Sequence, residues 1–230
     1  MKPFLILIIS LCIACNNSTE QGFTNKAEAK NTMLNGNREG KWIEYKDSAF
    51  NPTIDTNAPF YLLTVYKTGV LSGKAWGYYK SGKLYLERYY NNGKIIGSAK
   101  VYYADGKLMG EAPYLSGEKN GVVKVFYESG VLKLEVPFLA GKRNGLGKGY
   151  YENGKLKEEV PYSNDKKNGL AKVYYVDGNL NSEIPINNDR TNGIKKEYYE
   201  NGKLKSMTIY NNGVAETAKN YEENGNEIKQ

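Results

Sequence analysis

From residue 73 onward the chain alternates short apolar runs with polar turn signals at constant intervals. Val-Val-Lys-Val-Phe-Tyr (122–127) and Val-Leu-Lys-Leu-Glu-Val-Pro-Phe (131–138) flank Ser129-Gly130, and the same layout recurs around Asn-Gly or Asp-Gly in the neighbouring copies. Such runs separated by residues that tolerate positive φ predict β-hairpins closed by two-residue turns. The leading glycines Gly73, Gly97, Gly121, Gly145, Gly169 and Gly193 stand 24 residues apart without an insertion. The turn glycines from Gly82 to Gly202 and the leucines from Leu84 to Leu204 keep the same step. A period of this length predicts a repeat array, so the expected fold class is all-β: an elongated, single-layer antiparallel array of β-hairpins with 24-residue repeats.

With Asn153-Gly154 in the turn, the expected register sets Tyr151 against Leu156, Gly149 against Glu158, Lys148 against Glu159 and Gly145 against Tyr162. The same register places Lys100, Lys124, Lys148 and Lys172 opposite Glu111, Glu135, Glu159 and Glu183. The other face receives Tyr103, Tyr127, Tyr151, Tyr175 and Tyr199, read as sheet packing, and Tyr114, Phe138 and Tyr162 lie over the leading glycines. The aromatic ring on the face of the lysines, Tyr102, Phe126, Tyr150, Tyr174 and Tyr198, is the candidate partner-binding surface. Pro113, Pro137, Pro161 and Pro185 fall late in the second strand, where the missing N–H predicts a frayed ladder end.

Composition narrows the chemistry. The chain has no histidine, and its two cysteines, Cys12 and Cys15, both lie near the N-terminus. Most metal sites, histidine-based nucleophilic triads and a disulfide framework are thereby excluded. No catalytic residue, metal site or cofactor is expected, and a glutamate repeated opposite a lysine in every unit reads as structural. The net charge of +7 is dispersed among acidic residues, so no nucleic-acid groove is expected.

Residues 1–14 combine Lys2 with an apolar run too short to span a bilayer, which predicts an export signal. Leu11-Cys12-Ile13-Ala14-Cys15 resembles a bacterial lipobox, with Cys12 where leucine is usual. That resemblance implies lipid attachment at Cys15 and a place in the bacterial cell envelope, at the outer membrane or cell surface. Residues 15–35 are polar and predict a flexible tether, 36–216 hold the repeats, and 217–230 form a partial repeat that caps the last edge. The first repeat is irregular: an insertion at 46–60, with Pro52 and Pro59, reads equally as a binding element or as a disordered decoration.

Gly40-Lys41-Trp42-Ile43-Glu44-Tyr45 and Tyr150-Tyr151-Glu152-Asn153-Gly154-Lys155-Leu156-Lys157 resemble the MORN-repeat variant, and more closely the YwqK-type antitoxin family. The resemblance covers about residue 36 to the C-terminus. It implies a sheet of successive hairpins that binds another protein, and it brings no catalytic residues. The expected function is a non-enzymatic, lipid-anchored envelope protein with a protein partner, in an antitoxin-like or immunity-like role. The alternative is a module for envelope glycan or anionic lipid.

Overall fold

The computed structural model describes Phe23 and residues 25–228. Within them the strands form one open antiparallel sheet, in which each long strand is bonded to the long strands before and after it in the chain. One hairpin stands for the rest. Gly145–Tyr150 pairs with Leu156–Ser163 in the expected register, Gly145 opposite Tyr162, Lys148 opposite Glu159 and Gly149 opposite Glu158.

Nearer the turn the expectation is corrected. Leu156 faces Tyr150 rather than Tyr151, because residue 157 bulges out of the second strand. The loop has three residues, 152–154, closed by Gly154 N–H donating to the Tyr151 carbonyl and Tyr151 N–H donating to that of Lys155, both at 2.9 Å. Only Gly154 takes a positive φ, 82°, while the Asn153 carboxamide accepts from Lys155 N–H at 3.0 Å. A three-residue loop ending in a left-handed glycine is the usual alternative to a two-residue turn, and its bulge restores the register further along.

Two-residue turns do occur, on the opposite edge, where one hairpin passes to the next. Ala140 and Gly141 have φ of 48° and 79°, and Asn164 and Asp165 have 49° and 70°. Two consecutive positive φ values define the mirror-image turn whose twist suits antiparallel strands, and asparagine and aspartate tolerate it best after glycine. Successive turns of this edge bond to one another: Gly141 N–H donates to the Lys119 carbonyl at 2.9 Å, and Asp165 N–H to that of Arg143 at 3.0 Å.

The four prolines lie inside the sheet, which corrects the frayed-end reading. The Pro137 carbonyl accepts from Asn144 N–H at 2.9 Å. Beyond it the pairing slips by two residues, from Phe138 opposite Arg143 to Glu135 opposite Lys148, so Gly145 and Leu146 swell out of the ladder. The proline thus stands where the neighbouring strand offers no acceptor, and its missing N–H leaves nothing unpaired. At Gly145, with φ 115°, a Cβ would come within 3.0 Å of the Pro137 ring. The Tyr162 ring leans instead over Gly147, where a Cβ would lie 3.0 Å from its Cε2.

No large side chain among the described residues is fully buried. Along the regular repeats burial falls mainly on one face, on small residues such as Ala75, Ala99, Val136, Ala171 and Ser182, while the larger buried side chains Leu63, Tyr66 and Leu86 lie near the N-terminal end of the sheet. Stability is therefore spread over the repeats rather than lodged in a central core.

Both ends of the described region are more ordered than expected. The flexible tether expected over 15–35 is corrected from residue 25 onward. Lys26–Glu28 forms a 3-10 turn capped by Asn25, and Thr32–Leu34 pairs with Arg38 and its neighbours across Asn35-Gly36. Asn31 explains why: its carboxamide accepts from Ile43 N–H at 2.8 Å and donates to the Ile43 carbonyl at 3.1 Å, replacing a strand with one side chain. The insertion at 46–60 is folded too. Pro52–Thr53 pairs with Tyr45 and Lys46, and Phe50 packs on Phe60 and Tyr85 at ring distances of 5.2 and 5.5 Å. The Asp47 carboxylate, accepting from the backbone of Asn51 and Ala49, is held below the ordinary carboxylate range. At the far end Val214–Tyr221 runs through the expected start of the cap, and Glu227–Ile228 closes back on Asn220 and Tyr221.

Removing the whole unit 121–144 should leave a cooperatively folded sheet with a smaller denaturant m-value, since less surface is exposed on unfolding. Removing Val123 alone should unfold the flanking hairpins, because every later side chain would change face. Circular dichroism with urea titration of the two variants compares them.

A candidate interaction face along the repeats

Three parallel columns occupy one face of the sheet. The central one is a row of alternating charge: Glu87, Lys100, Glu111, Lys124, Glu135, Lys148, Glu159, Lys172, Glu183 and Lys196 oppose one another in order from strand to strand. The row runs between hairpins as well as within them, so each lysine from Lys100 to Lys172 has a glutamate on both sides. The register expected for these residues is present. Close ion pairs are not: among the described residues no lysine of the row has a carboxylate within 4 Å.

The glutamates are engaged by the column beside them. Tyr102 donates its hydroxyl to Glu87 at 2.6 Å, Tyr150 to Glu135 at 2.7 Å, Tyr174 to Glu159 at 3.0 Å and Tyr198 to Glu183 at 2.9 Å. These are four of the five candidate partner-binding rings, and their hydroxyls point back into the row. The fifth, Phe126, lacks the hydroxyl, so Glu111 has no phenol partner. All five rings are half-buried. Partial burial first, and the neighbouring carboxylate second, push the Tyr150 and Tyr198 phenols up to about 12 and raise Tyr102 and Tyr174 in the same direction.

The third column was not singled out from the sequence. Val122, Leu146, Leu170 and Ile194 follow the leading glycines and oppose Pro137, Pro161, Pro185 and Ile209. They remain exposed, at 42%, 42%, 45% and 50%. The signal was available in the 24-residue step from Val122 to Leu146, Leu170 and Ile194. Each of these apolar residues sits beside a glycine whose backbone swells outward, and that bulge lifts it from its neighbours.

The tyrosines read as sheet packing fasten one hairpin to the next. Tyr103, Tyr127, Tyr151, Tyr175 and Tyr199 donate their hydroxyls to the carbonyls of Phe126, Tyr150, Tyr174, Tyr198 and Tyr221, and Tyr79, outside the column read from the sequence, donates to that of Tyr102, all at 2.6–2.9 Å. The bulged lysines Lys133, Lys157 and Lys205 set their ammonium groups 5.2, 5.7 and 5.6 Å from the centres of Tyr127, Tyr151 and Tyr199. Near the N-terminal end Tyr61 stacks on Tyr78 at 5.1 Å, continuing the candidate aromatic column into the irregular repeat.

Segments 95–115, 119–140, 143–164, 167–188 and 191–212 match the MORN repeat variant. The chain carries five MORN repeats. Four of the matched segments end on the first residue of a two-residue turn, Ala140, Asn164, Asn188 and Asn212, so a MORN repeat here is one hairpin delimited by those turns. The hairpin at 73–91 has the same register outside the matched segments. No curated protein matches the chain. Among the described residues no cluster of three or more His, Cys, Asp or Glu is placed to hold a metal, and no helix is long and apolar enough to cross a membrane. Cys15 and the expected signal at 1–14 lie outside the described residues.

Phe126→Tyr should supply the missing hydroxyl to Glu111 and raise stability by about 0.5–1.5 kcal/mol, read as a higher urea midpoint at unchanged m-value. The raised phenols imply a second outcome. Folding holds their protons more tightly than the unfolded chain does, so their contribution is complete below pH 10 and falls as pH rises through about 12. Urea midpoints should decline across that window, and less steeply when Tyr150 and Tyr198 are replaced by phenylalanine.

Proposed function

We propose that the chain is a non-enzymatic, lipid-anchored protein of the bacterial cell envelope whose MORN-repeat face binds a protein partner. The observation that carries the reading is the exposed apolar column Val122, Leu146, Leu170 and Ile194 beside the charged row and the half-buried rings. A contiguous strip of aliphatic, charged and aromatic side chains fits a protein surface better than a sugar, which would need freely presented rings. The hydroxyls of Tyr102, Tyr150, Tyr174 and Tyr198 are already taken by carboxylates, so these residues offer ring edges and not polar handles. An immunity-like role, in which the face holds a toxic protein at the envelope, is one form of this reading. Anchoring rests on Cys15 and the lipobox resemblance: acyl chains at about 0.8 kcal/mol per buried methylene would hold the repeats at a membrane.

A photo-reactive amino acid in place of Leu170, activated in intact cells, should give adducts with protein. Adducts with glycan or lipid alone would overturn the protein-binding reading in favour of an envelope-ligand module. Cys15→Ser should shift the chain from the membrane fraction to the soluble one, and membrane retention of that variant would refute the anchor.

A further inference from the structure

We propose that the partner seated on this face is a second copy of the chain, docked about a two-fold axis that runs along the strands between Glu135 and Lys148. The proposal rests on the protein-binding reading above and narrows it to one occupant. Its basis is the order of charges in the row, which is its own complement when reversed.

Rotation about that axis turns the two faces toward each other and reverses the direction of the array while keeping each column over itself. Glu135 then meets Lys148 of the second copy, and Lys124 meets Glu159 of the second copy. Moving outward, Glu111 meets Lys172, until Glu87 at one end of the row reaches Lys196 at the other. No rung meets its own sign. An axis along the array instead would set each lysine on the same lysine of its mate and the aliphatic column on the rings. The alternation therefore selects one orientation as well as one partner.

The apolar column obeys the same symmetry. Leu146 lies over Pro137 of the second copy and Val122 over Pro161, so apolar meets apolar as charge meets countercharge. Packed sheets lie about 10 Å apart, which a lysine and a glutamate reaching toward each other can span. The lysines of the row have ammonium groups to offer, since among the described residues none lies within ion-pair distance of a carboxylate.

The size is also suitable. Ten rungs spaced about 4.8 Å, from Glu87 to Lys196, extend about 43 Å, and three columns are about 14 Å wide, giving about 600 Å² from each copy, the lower end of the stable range. Stable interfaces use about 800 Å² per partner. Sheets stacked face to face keep their strand directions within about 30° of each other, so the central rungs from Lys124 to Glu159 make the closest approach and the area over all ten rungs is an upper bound on the contact.

Analytical ultracentrifugation of the full chain tests the proposal. Wild type should sediment as a dimer. An acidic variant (Lys124→Glu, Lys148→Glu, Lys172→Glu) and a basic variant (Glu111→Lys, Glu135→Lys, Glu159→Lys) should each be monomeric alone and form a one-to-one heterodimer when mixed. Each keeps like charges on its own adjacent strands, so recovery on mixing reports the contact between copies and not repair within one. Leu146→Asp leaves the row intact and should raise the dimer dissociation constant more than about tenfold, which keeps the test informative if the charge variants fold poorly. A wild type that stays monomeric at about 100 μM, far above the micromolar ceiling usual for this area, overturns the proposal, as does a dimer indifferent to all three variants. If the chain is monomeric while the probe at residue 170 captures a different protein, only the second-copy assignment falls. If that probe captures no protein at all, the broader reading falls with it.

Discussion

Everything in this molecule depends on a register held from both edges of the sheet. On one edge, two-residue turns such as Ala140-Gly141 and Asn164-Asp165 bond to the strand that follows the preceding turn. On the other, each tyrosine next to a three-residue loop donates to the carbonyl of the following hairpin, as Tyr127 does to Tyr150. A strand clamped at both ends cannot slip by one residue without breaking both contacts, and slippage is the characteristic failure of a sheet with no deep core. The constant 24-residue period is the sequence counterpart of this double clamp.

The clamp explains how a single layer survives with so little burial. A net hydrogen bond contributes about 1 kcal/mol, and a cross-strand side-chain pair about 0.2–1 kcal/mol. None of these terms is large, but each recurs in every hairpin and is shared with the next, so stability accumulates with repeat number. The small residues of the inner face, such as Ala99 and Ala171, follow from the same economy: they let rings and backbone approach where bulkier side chains would prise the strands apart. The first repeat departs from the scheme and compensates with aromatic packing, Phe50 on Phe60 and Tyr85 drawing the insertion onto the sheet.

Function then becomes a question of what a periodic strip of side chains can recognise. Equivalent side chains recur once per hairpin, so a partner that engages one repeat engages the next at the same height on the face. Cavities matter less in such an architecture than the order of side chains along a column. That order distinguishes the two faces here, one lined by small and aliphatic residues, the other by aliphatic, charged and phenolic columns in parallel.

The amino-acid sequence by itself determined the repeat, the hairpin, the facing of Lys148 and Glu159, and the absence of histidine chemistry, because each follows from period or composition alone. It also named the rings from Tyr102 to Tyr198 as one column. Tertiary structure decided what those groups do. That Tyr150 turns its hydroxyl to Glu135 depends on the preceding hairpin, fifteen residues back in the chain but adjacent in the sheet. That Pro137 sits inside the ladder depends on Gly145 and Leu146 bulging away from it, and the same bulge exposes the aliphatic column. The order over residues 25–35 depends on Asn31 finding Ile43. Pattern along a chain reports which residues share a face, whereas the spacing between neighbouring strands settles which partner each side chain reaches first.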